Sequence, residues 1–573
     1  YSNLNPADST SPITITGLTN GTTYSIRLKA INSEGQSPAS SAVSVTPTAP
    51  GITWGTTIDL SESSGVADYA RIVSSSDGTR VAAIWPRRIG SHDHLQTRIS
   101  SDGGATWGAT TNLTPPSDGG SASGKLQIAM SANGNRITVI YPRGSSGIQV
   151  RSSSDGGANW GSTTDLSGSG PAEDPQLAMS SDGTRLTVVW RKGSSIQTRS
   201  SNDGGATWGS ITNLSSSEGE FPDVISSTDG NTVTAIWVEY NRPNHIVKIR
   251  RSNDGGATWG GAVDLSDSSE NRKFYPQIAG SVDNTRITAI WLRSNGTGGG
   301  SGIYDILQTS TSGDSGASWS SAIDLSGTGT NANRPLISAS SDGNKVTAVW
   351  EYGNTIQTRS STDGGASWGG STNLSSANAV SFELVTSMDG NPNVIWRQGK
   401  DNGDWISQVR GSDDFGNSWG TTTDLTTDGI MDSPEIATSS DGNRLNALWF
   451  KYDGSGYVVQ TRGGVTANTG VTGVTPPDPP TGLSASSGDG EVTISFTAGN
   501  SNGAAITNYA YSLNGSSYSN LSPADATSPI TITGLTNGTT YSIRLKAINS
   551  AGQSPASSAI SVTLPNVPDA PTG

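Results

Sequence analysis

Between residues 51 and 475, apolar residues come in short runs, and clusters of Ser, Asp and Gly separate the runs at regular intervals. Runs this short, bounded by turn residues, read as strands. In each period one run ends on an aromatic residue: Trp85, Tyr141, Trp190, Trp237, Trp291, Trp350, Trp396 and Trp449. A Ser-Asp-Gly turn precedes it, as Ser76, Asp77 and Gly78 precede the run that closes on Trp85. Each period holds four strands, and in the third they are expected over residues 176–180, 185–191, 196–199 and 207–214.

A second pattern, Ser-x-Asp-x-Gly-x-x-Trp, alternates with the first. Its seven copies carry Asp102, Asp155, Asp203, Asp254, Asp314, Asp363 and Asp414, and end on Trp107, Trp160, Trp208, Trp259, Trp319, Trp368 and Trp419. Successive copies lie 48 to 60 residues apart. Each reads as a hairpin turn in which Gly supplies positive φ and the Asp carboxylate accepts N–H groups of its own turn. The Trp is expected to open the next strand. Four strands per period of about 50 residues describe propeller blades. Trp54 is the tail of an eighth copy. The last period lacks a fourth strand, and residues 52–60 have the sequence of one. These residues are predicted to complete the last blade of an all-β, eight-bladed β-propeller.

The flanks repeat each other. Residues 1–46 and 518–563 differ only at Asn5/Ser522, Ser9/Ala526, Glu34/Ala551 and Val43/Ile560. The second copy belongs to a longer alternating-strand segment that begins near Pro476 and includes Gly482, Leu483, Phe496, Tyr541, Ala547 and Asn549. It reads as a β-sandwich. The expected domains are residues 1–50, the C-terminal part of a sandwich; 51–475, the propeller; 476–566, a complete sandwich; and 567–573, the start of a further module. On this reading the chain is a window from a longer array. Strands donated by a neighbouring molecule are the rival account of the half-domain.

The chemistry narrows the function. Lys and Arg total 34 against 48 Asp and Glu, a formal net charge of −14. That speaks against nucleic acid bound through a broad basic face. With no Cys there is neither a disulfide nor a thiolate site. No apolar run is long enough to span a membrane. Strand parity puts both repeated turns on one face and the irregular loops on the other, where function is expected. Arg87, Arg143, Arg191, Arg293 and Arg397 follow the strand aromatics toward that loop face, as does Arg88. They are candidates for a carboxylated or sulfated glycan, or for pairing with loop carboxylates such as Asp93, Glu173 and Glu270. Trp405, outside both repeats, is a candidate sugar-stacking or sheet-covering residue. Glu239–Tyr240 and Glu351–Tyr352 are neighbours on strands, so each pair should point to opposite faces. Tyr275, Tyr304, the insertion 295–302, and His92, His94 and His245 complete the candidates. No cofactor or metal is expected beyond calcium at the Asp turns, where one carboxylate per turn is offered.

The Ser-x-Asp-x-Gly-x-x-Trp copies resemble the Asp-box (BNR, sialidase-like) repeat proteins, over about three quarters of the chain. The flanks resemble fibronectin type III domains, with Phe496 where that family has Trp. The resemblance implies a large bacterial-type extracellular repeat protein. A sialidase would further require an Arg cluster and a Tyr nucleophile paired with a carboxylate. Two departures count against that activity: the count of eight units rather than six, and Trp85, Pro86, Arg87 and Arg88 as the nearest string to the family's Phe/Tyr-Arg-Ile-Pro start. The expected function is a non-catalytic structural or adhesive segment of a secreted or cell-surface modular protein, its loop face binding cell-surface glycans or neighbouring copies of the array. The alternative is a sialidase-like glycoside hydrolase with accessory sandwich domains.

Overall fold

The computed structural model describes residues 23–32, 35–45, 52–63, 69–89, 92–114, 125–241, 244–267, 273–294, 305–427, 429–466, 477, 479–499, 506, 508–515, 517–521, 525–549, 552–554 and 556–566. The side chains of 32, 89, 92, 93, 145, 241, 244, 430 and 552 are not described. Tyr304, Glu270, the insertion 295–302 and residues 567–573 lie outside the described residues. Two compact units divide at residues 467 and 468.

The first unit is built mainly from eight antiparallel sheets that follow one another along the chain, seven of four strands and the eighth of five. Their innermost strands are Arg71–Ser74, Gln127–Met130, Glu173–Met179, Glu218–Ser226, Lys273–Gly280, Ala332–Ala339, Ala379–Thr386 and Ile430–Thr438. Each innermost strand lies against the next, and the eighth lies against the first. A circle of backbone hydrogen bonds closes the ring. Ser76 N–H donates to the Ala132 carbonyl, and the chain of bonds passes through Ser181, Thr228, Val282, Ser341, Met388 and Ser440 back to Ser76, every bond 2.7–2.8 Å. The eighth sheet takes its outer strands from the other end of the unit: Ile52–Trp54 and Ile58–Asp59 pair antiparallel with Tyr457–Thr466.

The strand aromatics form the packing between sheets. Trp85, Trp190, Trp237, Trp291, Trp350, Trp396, Trp449 and Tyr141 are fully buried. Trp85 packs on Leu448 and Phe450 of the eighth sheet, and Tyr141 on Ile84 and Leu95 of the first. Truncating one such ring to Ala costs about 3–5 kcal/mol. The turn tryptophans are only half-buried.

The outer strands differ from expectation. In the third sheet the strands are Glu173–Met179, Leu186–Lys192, Ser195–Ser201 and Thr212–Asn213, so Trp208 stands outside the fourth. Gly209 N–H bonds the Ser200 carbonyl, whereas Thr212 lies opposite Thr198. The two pairings are out of register by one residue, and that slip breaks the ladder.

The second unit contains a three-stranded sheet of Thr481–Ser487, Glu491–Thr497 and Ile530–Thr533, and a sheet centred on Asn508–Ser512 and Thr540–Asn549. Their core joins Val492, Ile494, Ile530 and Ile532 to Ile543, Leu545 and Ala547. Phe496 sits in it edge-on to Tyr509, ring centroids 4.7 Å apart. The Tyr541 hydroxyl accepts the Thr536 N–H at 2.9 Å, a tyrosine-corner bond.

Candidate functional site at the axial mouth

The two ends of the ring use polar residues differently. On the turn side, Asp102 accepts Ser100 Oγ at 2.8 Å, Thr106 N–H at 2.8 Å and Thr106 Oγ1 at 2.5 Å, so both carboxylate oxygens are engaged within the turn. The other copies repeat this. The bonds from Asn159 hold Asp155 down to about 2, and the Thr207 hydroxyl does the same for Asp203. The first-to-second-strand turns are built alike: Ser75 Oγ donates to Asp77 at 2.5 Å and accepts Arg80 N–H at 3.0 Å. No group of three His, Asp or Glu residues spaced to hold a metal ion occurs among the described residues.

Arginines tie the sheets together on this side, and their role is not visible in the repeat itself. Arg444 of the eighth sheet lies where a Cβ on Gly78 of the first would sit, with its Cδ 2.8 Å away. Arg80, Arg136, Arg185 and Arg286 cover glycines of the following sheet in the same way. Arg199, Arg359, Arg410 and Arg462 donate to Leu166, Leu325, Leu374 and Leu425 carbonyls of the preceding sheet at 3.0–3.3 Å. The Gly residues of the turns thus answer both a positive φ and a neighbour's guanidinium. The axial cavity on this side, about 290 Å³, is lined mainly by serines, with Met130, Met179, Val282 and Met388, and has no ionisable wall.

On the loop side, the innermost strands begin with a β-bulge in six sheets. The bulge faces the strand aromatic and places Asp174, Phe221, Tyr275, Arg334, Ser381 and Ser433 at φ +45° to +54°. Tyr69 has the same position before the first innermost strand, at φ +67°. Two residues further on, in register around the ring, stand Arg71, Gln127, Gln176, Asp223, Gln277, Leu336, Glu383 and Glu435, each opposite the residue before a strand aromatic. These two rings form the mouth of the axis. A sequence signal for them exists: Pro175, Pro222, Pro276, Pro335 and Pro434 follow bulge residues, and Pro inside a strand marks a bulge.

The mouth holds two charge networks. In one, Arg71 donates to Glu435 across the join between the first and eighth sheets. Glu383 interacts electrostatically with Arg71 and Arg334. Burial pushes Glu435 well above the ordinary carboxylate range, with the Glu383 charge adding to it against the pull of Arg71. Burial also raises Glu383 and Glu351, each against Arg334. In the other, Arg191 meets Glu173, Asp174 at 3.8 Å and Glu220 at 4.0 Å, and Lys125 pairs with Asp174 at 3.2 Å. Tyr240 Oη donates to Glu220 at 2.7 Å. Asp223 accepts Val224 N–H at 2.8 Å and Ile278 N–H of the next sheet at 3.0 Å, and burial lifts it to about 6. Between the networks, Phe221 and Tyr275 pack with centroids 4.5 Å apart.

The residues singled out from sequence are distributed around this face. Arg87 pairs with Glu62 at 3.0 Å, Arg293 with Asp324 at 3.2 Å, and Arg397 with Asp432 at 3.5 Å. Arg143 is 9% exposed, and burial lowers its pKa. Arg397 also lies over the Trp405 ring, 4.2 Å from its centroid, so these two come together. Glu239 and Tyr240 diverge: Glu239 accepts Ser216 Oγ at 2.6 Å and Trp237 Nε1 at 3.2 Å, while Tyr240 turns to Glu220. His245 packs edge-on to Tyr240, and His94 is buried.

Comparison with known proteins agrees with this architecture. Residues 100–287 match the BNR repeat-like domain, and residues 478–563 match the fibronectin type III domain. The chain joins a BNR-like body to a fibronectin type III domain. None of the curated protein sequences compared with it matches. Similar solved structures include an α-L-arabinofuranosidase of Fusarium graminearum bound to arabinobiose, at 12% identity over 72% of this chain and 98% of that one, TM-score 0.37. The Dos1 propeller is 12% identical over 72% and 95%, TM-score 0.46. The intramolecular trans-sialidase of Ruminococcus gnavus is 15% identical over 74% and 99%, TM-score 0.31.

Proposed function

We propose that the BNR-like body is a non-catalytic glycan-binding module of a large secreted or cell-surface protein, with its ligand on the loop side. The observation that carries this reading is the axial mouth. Positive-φ strand starts in seven sheets, six of them bulged, set two tyrosines, a phenylalanine, an arginine, an aspartate and two serines around one ring, while the opposite face engages its polar groups internally. A few convergent polar groups beside aromatic faces is the composition of a small-ligand site. Four of the five strand-end arginines pair with separate carboxylates, which favours binding over sialidase chemistry. The near-identical sandwich copies suit a spacer and display role, and repeated extracellular modules are the setting in which such copies serve reach. The test is a glycan array probed with the intact chain. Retention on a defined set of glycans is expected, and failure to bind any glycan overturns the proposal.

A second reading, a glycoside hydrolase, is favoured by Glu383 and Glu435, two carboxyls held toward the protonated form beside Arg71. Release of reducing sugar from a polysaccharide, abolished in Glu435→Gln, would establish it. A sialoside substrate is expected to stay intact, because four of the strand-end arginines are held by separate carboxylates rather than gathered on the Tyr240–Glu220 pair.

A further inference from the structure

We infer that the ligand of the axial mouth is a neutral saccharide, stacked on Tyr275 and hydrogen-bonded by Arg334 and Glu383 of the next two sheets. This rests on the glycan-binding reading and specifies its chemical class.

The cations of the mouth are already matched. Arg71 is bonded to Glu435, Arg334 sits in the field of Glu351 and Glu383, Arg191 is ringed by Glu173, Asp174 and Glu220, and Lys125 holds Asp174. With Asp223, seven carboxyls face four cations. An anionic sugar would have to displace an internal carboxylate and then face the remainder, a like-charge placement that works against binding. A carboxylated or sulfated ligand, the class to which the strand-end arginines point in the sequence, is therefore excluded from the mouth. A cationic amino sugar is disfavoured for a matching reason: the carboxyls are already engaged, Glu435 by Arg71, Glu173, Asp174 and Glu220 by Arg191 and Lys125, and Asp223 by two backbone N–H groups, so an ammonium would have to displace a resident partner.

What the mouth does offer is apolar ring faces beside hydrogen-bonding groups. Tyr275 is 45% exposed and Tyr69 43%, although both stand on constrained backbone that positions them. Phe221 supports Tyr275 from the preceding sheet. Arg334 begins the innermost strand following that of Tyr275, and its Nη1 reaches Ser381 Oγ at 3.4 Å, a bond long enough to be exchanged for a ligand hydroxyl. A pyranose or furanose ring presents C–H groups to an aromatic face and hydroxyls at its edge, and this pairing matches it.

The experiment titrates the intact chain with four matched oligosaccharide sets: neutral, uronate-containing, sialylated and amino-substituted. Neutral oligosaccharides should bind and the other three should not compete. Tyr275→Ala should weaken binding about tenfold, roughly 1.4 kcal/mol, while the chain remains folded by circular dichroism at the assay temperature. Asp102→Asn, on the opposite face, should leave affinity within about threefold. Tighter binding of an acidic or amino set overturns the neutral class and leaves glycan binding standing. Unchanged affinity in Tyr275→Ala overturns the placement at the mouth. Binding of no set overturns both this inference and the function it rests on.

Discussion

The carboxylates of the turn face and those of the axial mouth are the same side chains under opposite physical pressures. Asp155, Asp203, Asp254 and Asp314 stand in solvent, accept their own turn's N–H and hydroxyl groups, and are held down to about 2. Asp223, Glu351, Glu383 and Glu435 lose water to the packed ring and are pushed up, Asp223 to about 6. Hydrogen bonding to the charged form wins in the first set and desolvation wins in the second. The difference separates scaffold from site. A turn whose acceptors are all satisfied has nothing left for a ligand, whereas a cluster held away from its preferred charge state retains capacity to bind.

The contrast breaks hardest at Glu435. Glu435→Ala strands Arg71 among buried neighbours and should cost about 4 kcal/mol by urea denaturation, and Glu435→Gln should cost less. A loss under about 1 kcal/mol would mean that the pair behaves as a surface contact. Next comes Gly78→Val, which forces a β-branched residue to φ +66° against Arg444. About 3 kcal/mol is expected, and Arg444→Ala introduced alongside should recover part of it.

The pH dependence distinguishes the two faces by sign. Asp223 has a raised pKa, so its contribution is complete below the ordinary carboxylate range and is lost as pH rises through about 6. The turn aspartates have lowered pKa values, so theirs is present above that range and is lost as pH falls toward about 2. The BNR-like body should therefore be most stable at about pH 4, and up to about 2 kcal/mol of the decline between about pH 4 and 6 should disappear in Asp223→Asn. The smallest effect is expected at Asp102→Asn, about 1 kcal/mol, with glycan binding untouched. Loss of binding there would erase the distinction between the faces.

Much of the scaffold was legible because its causes are local. Ser100, Asp102, Gly104 and Trp107 lie within eight residues, and their bonds are made among themselves. The period of the aromatics, from Trp85 to Trp449, announces the sheets in the same way. The site was legible only in part. Arg191 was identified as a candidate, and Glu173 among its possible partners. The mouth residues Arg71, Glu383 and Glu435 were missed, because nothing in their own strands differs from a solvated strand residue. Tyr275 was considered, yet the bulge that exposes it shows in sequence only as the following Pro276.

Two nearly identical segments mark where sequence stops deciding. Leu545 is fully buried against the facing sheet of the sandwich, and its counterpart Leu28 is 44% exposed. The local sequence made both apolar; the strand Thr540–Asn549 and its facing sheet took Leu545 out of water, whereas Leu28 stands between the strands Tyr24–Ile26 and Ile31–Asn32. The same holds for the BNR-like body. Sequence by itself determined the repeat, the turn chemistry and the strand order, since hydrophobic period and turn propensity act over a few residues. Tertiary structure decided the axial mouth. Arg71 and Glu435 are 364 residues apart in the chain, and only closure of the ring removes water from both at once.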